Sequence, residues 1–85
     1  MKNYVLVKKE RSGSVELLEL FFCSLISGAT IQDKENNLAC WLKEHLSKNY
    51  NSVEELDYNH AVCAFKCNDT VFFIDSVKLH ENYIS

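Results

Sequence analysis

The chain contains no proline and only two glycines, Gly13 and Gly28. That excludes a proline- or glycine-rich linker and a low-complexity tail. No internal repeat is visible either. Long apolar runs are also missing. The longest apolar block, Leu17 to Ile26, is broken by Glu19 and Ser24. It falls well short of the ~20 residues needed to cross a bilayer. The opening Met-Lys-Asn-Tyr-Val-Leu-Val-Lys-Lys is too short for the core of a signal peptide. A soluble, cytoplasmic protein with no membrane partner is the expectation. Basic residues are absent from Ser12 to Asp33 and again from Asn49 to Phe65. No P-loop, nucleophile elbow, His-Glu-x-x-His motif or dinucleotide glycine fingerprint occurs. With no such motif and a short chain, no enzymatic activity and no cofactor are expected.

What is present is ordinary for a small globular domain. Its 85 residues are 47% hydrophobic and 25% charged, with a net charge of −3. One domain, residues 1–85, is expected, burying about 60–65% of its unfolded surface. The clearest local signal is Ala61 to Leu79. It reads as two strands, 61–67 and 70–79, joined at Asn68-Asp69, which tolerate the backbone of a tight hairpin. That turn sets Cys67 against Thr70, Lys66 against Val71 and Phe65 against Phe72. One face then carries Ala61, Cys63, Phe65, Phe72 and Ile74. The other carries Val62, Ala64, Lys66, Val71, Phe73 and Asp75. Asn3 to Lys8 predicts a further strand, with Val5 and Val7 on one face and Tyr4 and Leu6 on the other.

Between these strands the pattern predicts helices. Leu38, Trp41, Leu42, His45 and Leu46 follow helical spacing, with Thr30, Asp33 or Asn36 as candidate caps and Lys48 near the end. Residues 14–27 are leucine-rich, with Ser12 or Ser14 as candidate caps and Gly28 where a terminating glycine belongs. A helix is preferred there. The competing reading is a strand paired with the first through Arg11-Ser-Gly-Ser14. Ser52-Val-Glu-Glu55 matches a capping box and predicts one more helical turn. The expected architecture is α+β, in the order β-α-α-β-β. Two helices pack on one face of a small, three-stranded, mainly antiparallel sheet, with ββαββ as the alternative. The tail, His80 to Ser85, predicts either extended or helical backbone.

Four cysteines, at 23, 40, 63 and 67, are expected as reduced thiols in a chain of this kind. Cys63 and Cys67 on one strand lie about 13 Å apart, too far for a disulfide. His60-x-x-Cys63-x-x-x-Cys67 has the residue types of a metal site, but strand geometry puts His60 and Cys63 on opposite faces. No metal is expected. Cys40 and His45, five apart on a helix, do not face each other. Asp75 reads as an edge-blocking charge.

The function these features favour is protein binding. Apolar residues on both sheet faces imply a surface beyond the chain's own core. Glu54, Glu55 and Asp57 form an acidic run beside Tyr50 and Tyr58, suited to a basic partner. The expectation is a small stoichiometric inhibitor or regulator of the immunity-protein, antitoxin or phage anti-defence kind. It would block the surface of another protein, such as a toxin or nuclease. The expected contact residues are Tyr4, Leu6, Glu54, Glu55, Asp57, Tyr58, Val62, Val71 and Phe73. Two alternatives follow from the same residues. One is a homodimer that buries the open sheet face. The other is a nucleic-acid binder using Lys2, Lys8, Lys9 and Arg11 with Tyr4, against which the net charge weighs.

Overall fold

A computed structural model of the protein describes residues 3–58 and 60–77. Its elements in chain order are β1 (Tyr4–Lys9), β2 (Val15–Phe21), a 3₁₀ turn (Cys23–Leu25), α1 (Ile31–Asn49), β3 (Glu54–Leu56), β4 (Cys63–Cys67) and β5 (Thr70–Ser76). The five strands form one antiparallel sheet in the order β2-β1-β5-β4-β3. Among the described residues α1 is the one α-helix. The expected two helices on a three-stranded sheet are therefore replaced by one helix on five strands. The class remains mixed α and β.

The correction centres on residues 15–21. Their leucines and glutamates favour a helix locally, yet they form the strand of the competing reading. The turn decides it. Gly13 takes φ +97, a conformation glycine adopts without strain. Its amide donates to the Glu10 carbonyl at 2.9 Å, and the Glu10 amide donates to the Ser14 carbonyl at 2.9 Å. That tight reversal lays β2 against β1, with Phe21 opposite Tyr4, Leu20 opposite Val5 and Glu16 opposite Lys8. Ladder hydrogen bonds then outweigh local preference. A bulge at Leu18 takes up the extra residue, which reconciles the Leu-Leu pair with strand alternation. Ser12 and Ser14 thus belong to a hairpin, not to helix caps. The capping-box segment is corrected too: Glu54–Leu56 pairs with β4 as a strand.

Gly28 has a different task from the expected helix terminator. It sits at φ +139, and a Cβ there would lie 2.8 Å from the Lys34 backbone nitrogen. The chain passes so close to the first turn of α1 that only a hydrogen fits. Thr30 caps that helix, its Oγ1 accepting from the Asp33 amide at 3.1 Å. Lys48 lies in the last turn, where its charge suits the helix dipole.

The sheet sorts its side chains by face. Tyr4, Leu6, Phe65, Cys67, Phe72 and Ile74 meet Leu38, Leu42 and Leu46 of α1 in the main core. Val5, Val7, Ala64 and Phe73 form a second buried cluster on the opposite face. The hairpin register is as the turn predicts, Cys67 opposite Thr70 and Phe65 opposite Phe72. Asn68 supplies the turn's positive φ, +57. Ala61 and Val62 precede β4 and exchange their expected faces, Val62 packing on the helix side and Ala61 on the other. No helix among the described residues is long and apolar enough to cross a membrane. Residues 80–85 and Lys2 lie outside the described residues.

Candidate functional site

The sheet places the expected contact residues in three different environments. Tyr4 and Leu6 are buried under α1, Tyr4 completely. Its hydroxyl donates to Glu35 Oε2 at 2.7 Å. Burial first, and then the Glu35 carboxylate, push its pKa up. Phe73 is buried on the opposite face, stacked on Tyr58 with ring centroids 4.7 Å apart. Val71 is half-buried beside it. Because the five-stranded sheet closes over these side chains, no exposed patch centres on Tyr4, Leu6 and Phe73.

Glu54, Glu55 and Asp57 are exposed. Glu55, Asp57, Tyr58 and Val62 come together around a shallow pocket of about 350 Å³, with Lys43 and Cys40 of α1 and Cys63 of β4. Its chemistry is modest. Burial pushes the Cys63 thiol up to about 12, against a smaller lowering by its backbone hydrogen bond with Ile74. At neutral pH this thiol holds its proton and is no nucleophile. Burial raises Cys67 as well. Among the described residues no group of three His, Cys, Asp or Glu side chains could hold a metal ion. The four cysteines are unbridged.

A different region stands out by exposure. The exposed large apolar side chains among the described residues are Val15, Leu18, Leu20, Phe22, Leu25, Ile31 and Trp41. All belong to β2, to the turn that follows it, or to α1. None lies on β3, β4 or β5. Leu25 is 80% exposed, in a 3₁₀ turn whose first residue, Cys23, is buried. The turn is pinned from several sides. The Cys23 amide donates to Asn3 Oδ1 at 3.1 Å, and Lys34 Nζ donates to the Cys23 carbonyl at 2.6 Å. An anchored backbone thus presents an unburied leucine to solvent.

The reason for this exposure is geometric. One helix spans only part of a five-stranded sheet. α1 covers β1, β5 and β4 and leaves β2 largely open on the helix face. Trp41 reaches part of the way, its ring edge-on to Phe21 at 5.3 Å and stacked on His45 at 5.2 Å. Phe21, Leu25, Ile26, Leu38 and Trp41 line one hollow of this trough. Leu6, Leu18, Leu42 and Tyr50 line the next. On the opposite face Val5, Leu17 and Leu20 line a third. Exposed apolar side chains gathered at one edge of a sheet mark an interaction site more often than scattered leucines do.

Sequence reasoning missed this site because it placed Leu17 to Ile26 on a helix with an over-wide apolar arc. The surplus was visible, and so was the absence of any base from Ser12 to Asp33. Only the strand assignment turns both into properties of one sheet edge. Comparison of the chain with known protein families, with curated proteins and with solved structures finds no match.

Proposed function

We propose that this protein is a small, non-catalytic binding module that acts by occupying the surface of another protein, and that its contact surface is the β2 side of the sheet. The observation that carries this reading is the gathering of exposed apolar side chains on β2, the following turn and Trp41, with none on the other three strands named above. Such side chains cost solubility where they stand and stabilise the fold little, so an external partner is what they serve. Phe22 and Trp41 supply large aromatic anchors of the kind that dominate interface energetics, and Leu25 adds apolar area beside them. An interface of ~800 Å² per partner is within reach of a domain this size.

The test is a pair of substitutions on each side of the sheet. Leu20→Asp with Leu25→Asp should abolish one-to-one capture of the partner by the tagged chain, with the thermal midpoint of the free domain nearly unchanged. Glu54→Lys with Glu55→Lys, on β3, should leave capture intact. The converse result, capture lost only with the β3 pair, would move the contact to the acidic run.

A further inference from the structure

The open side of β2 has a chemistry of its own, and it names a partner more closely. Building on the reading of β2 as the contact surface, we propose that the partner binds by adding a strand to β2, and that the added strand alternates apolar and basic residues.

Three observations lead there. First, β2 is the sheet's terminal strand, seven residues long, and on its outer side no strand pairs with it among the described residues. Its outward amides and carbonyls form a ladder edge ready for another extended segment. Second, its two faces differ in charge. Register with β1 puts Glu16 and Glu19 on the α1 face, opposite Lys8 and Leu6, with Phe21 at the strand's end opposite Tyr4. It puts Val15, Leu17 and Leu20 on the other face, opposite Lys9, Val7 and Val5. Third, the charge on the α1 face is left open. Lys8, the neighbouring base, has its ammonium 3.5 Å from Glu10. No ion pair among the described residues includes Glu16 or Glu19. An added strand sets its own α1-face residues beside these two carboxylates, where lysine or arginine is favoured. Its opposite face meets Val15, Leu17 and Leu20, where valine, isoleucine or leucine is favoured.

The same features disfavour a second copy of this chain. Two β2 strands joined antiparallel about a two-fold axis would bring four glutamates into one ladder. The bulge breaks the symmetry as well. Centred on Leu18, such a pairing sets Leu17 of one copy against Glu19 of the other, residues that belong to opposite faces. A bulge and in-facing charge block self-pairing in many edge strands. A partner of complementary sequence meets neither obstacle.

The experiment uses the full chain, labelled with ¹⁵N, and two synthetic peptides, Thr-Val-Lys-Val-Lys-Val-Thr and Thr-Val-Glu-Val-Glu-Val-Thr. The lysine peptide should slow hydrogen exchange at β2 amides and shift resonances of β2 and β1. It should bind about tenfold more tightly than the glutamate peptide, as two cross-strand charge pairs imply. Glu16→Lys with Glu19→Lys should reverse that preference. Equal binding of the two peptides, or binding with no change in β2 amide exchange, overturns the strand addition. So does a stable dimer of the free chain with protected β2 amides. Those results leave the contact surface standing if Leu20→Asp with Leu25→Asp still abolishes partner capture. Unimpaired capture by that double variant overturns the contact surface itself.

Discussion

The two ends of this sheet solve the same physical problem in opposite ways. Every open sheet has two edge strands, and each offers unpaired backbone groups to any passing chain. At one end β3 is three residues long, Glu54 to Leu56, and carries two exposed glutamates. Glu54 stands opposite Lys66 of β4, a register that sets unlike charges on facing positions. A short, charged edge gives a foreign strand little to pair with. At the other end β2 runs seven residues and exposes Val15, Leu18 and Leu20. Its neighbours in sequence, Phe22 and Leu25, are exposed too. The protection there is selective, a bulge and two like charges that repel a copy of the same strand. The difference teaches where on this sheet to look for a contact surface. An edge shielded against everything is structural, whereas an edge shielded only against itself is available to something else.

The sharpest way to break this comparison is to ask which apolar side chains hold the fold. Leu42 is completely buried between α1 and the sheet. Leu42→Ala should destabilise the domain by about 2–5 kcal/mol, the usual cost of a leucine-sized cavity. Leu25→Ser, at the open end, should change stability by no more than about 0.5 kcal/mol. Urea unfolding followed by circular dichroism measures both. A large loss from Leu25→Ser would make the open end part of the core and remove the contrast. A smaller effect comes from the two glycines that shape the β2 end. Gly28→Ala should cost about 1–3 kcal/mol, because the added methyl meets the Lys34 backbone while φ stays positive. Gly13→Ala has the same kind of φ but open space around it, so about 1 kcal/mol is expected. If the two variants prove equally stable, the close approach at Gly28 is not what constrains the entry to α1.

Much of the β4–β5 end was legible in the sequence, and the β2 end was not. Asn68-Asp69 between alternating apolar residues fixes a register by local chemistry alone, and the observed pairs match it. α1 was equally plain from the spacing of Leu38, Leu42 and Leu46, each buried as that spacing requires. Residues 15–21 carry two conflicting signals. Leucine and glutamate favour helix locally, while the Gly13 turn and the open flank of β1 favour a strand. Non-local pairing won, and no count of propensities along the chain contains that information. The same failure bears on the expected contact residues. With β2 taken for a helix, Tyr4 and Leu6 sit on a three-stranded sheet with a spare face, and they read as surface. With β2 in the sheet they lie under α1, and the spare apolar surface moves to Leu20, Phe22 and Leu25. Glu54 and Glu55 remain exposed in either fold, since a charged pair on a short segment stays in water whatever its backbone does.

The least disruptive probe of the comparison is alkaline pH, because the titrating groups are distributed unevenly. Burial raises the pKa of Cys63 from about 9 to about 12, and raises Cys67 in the same direction. Both lie on β4, next to the short edge, whereas β2 contains neither cysteine nor tyrosine. An acid whose pKa is higher in the folded chain keeps a proton that the unfolded chain releases. Its contribution to stability is complete below its unfolded pKa and is lost as pH rises toward the folded value. The urea midpoint should therefore hold steady up to about pH 9 and fall between pH 9 and 12. Tyr4, whose hydroxyl is also raised, extends the loss at the upper end. Cys63→Ala should flatten the first part of the decline without altering the proposed β2 contact surface. Thiol alkylation at neutral pH gives an independent reading of how tightly β4 is closed. Cys40, exposed on α1, should be modified first, and the buried Cys67 should react only as fast as the domain opens. A midpoint that stays flat through pH 11, or Cys67 labelled as fast as Cys40, would mean that β4 is not closed as its burial implies.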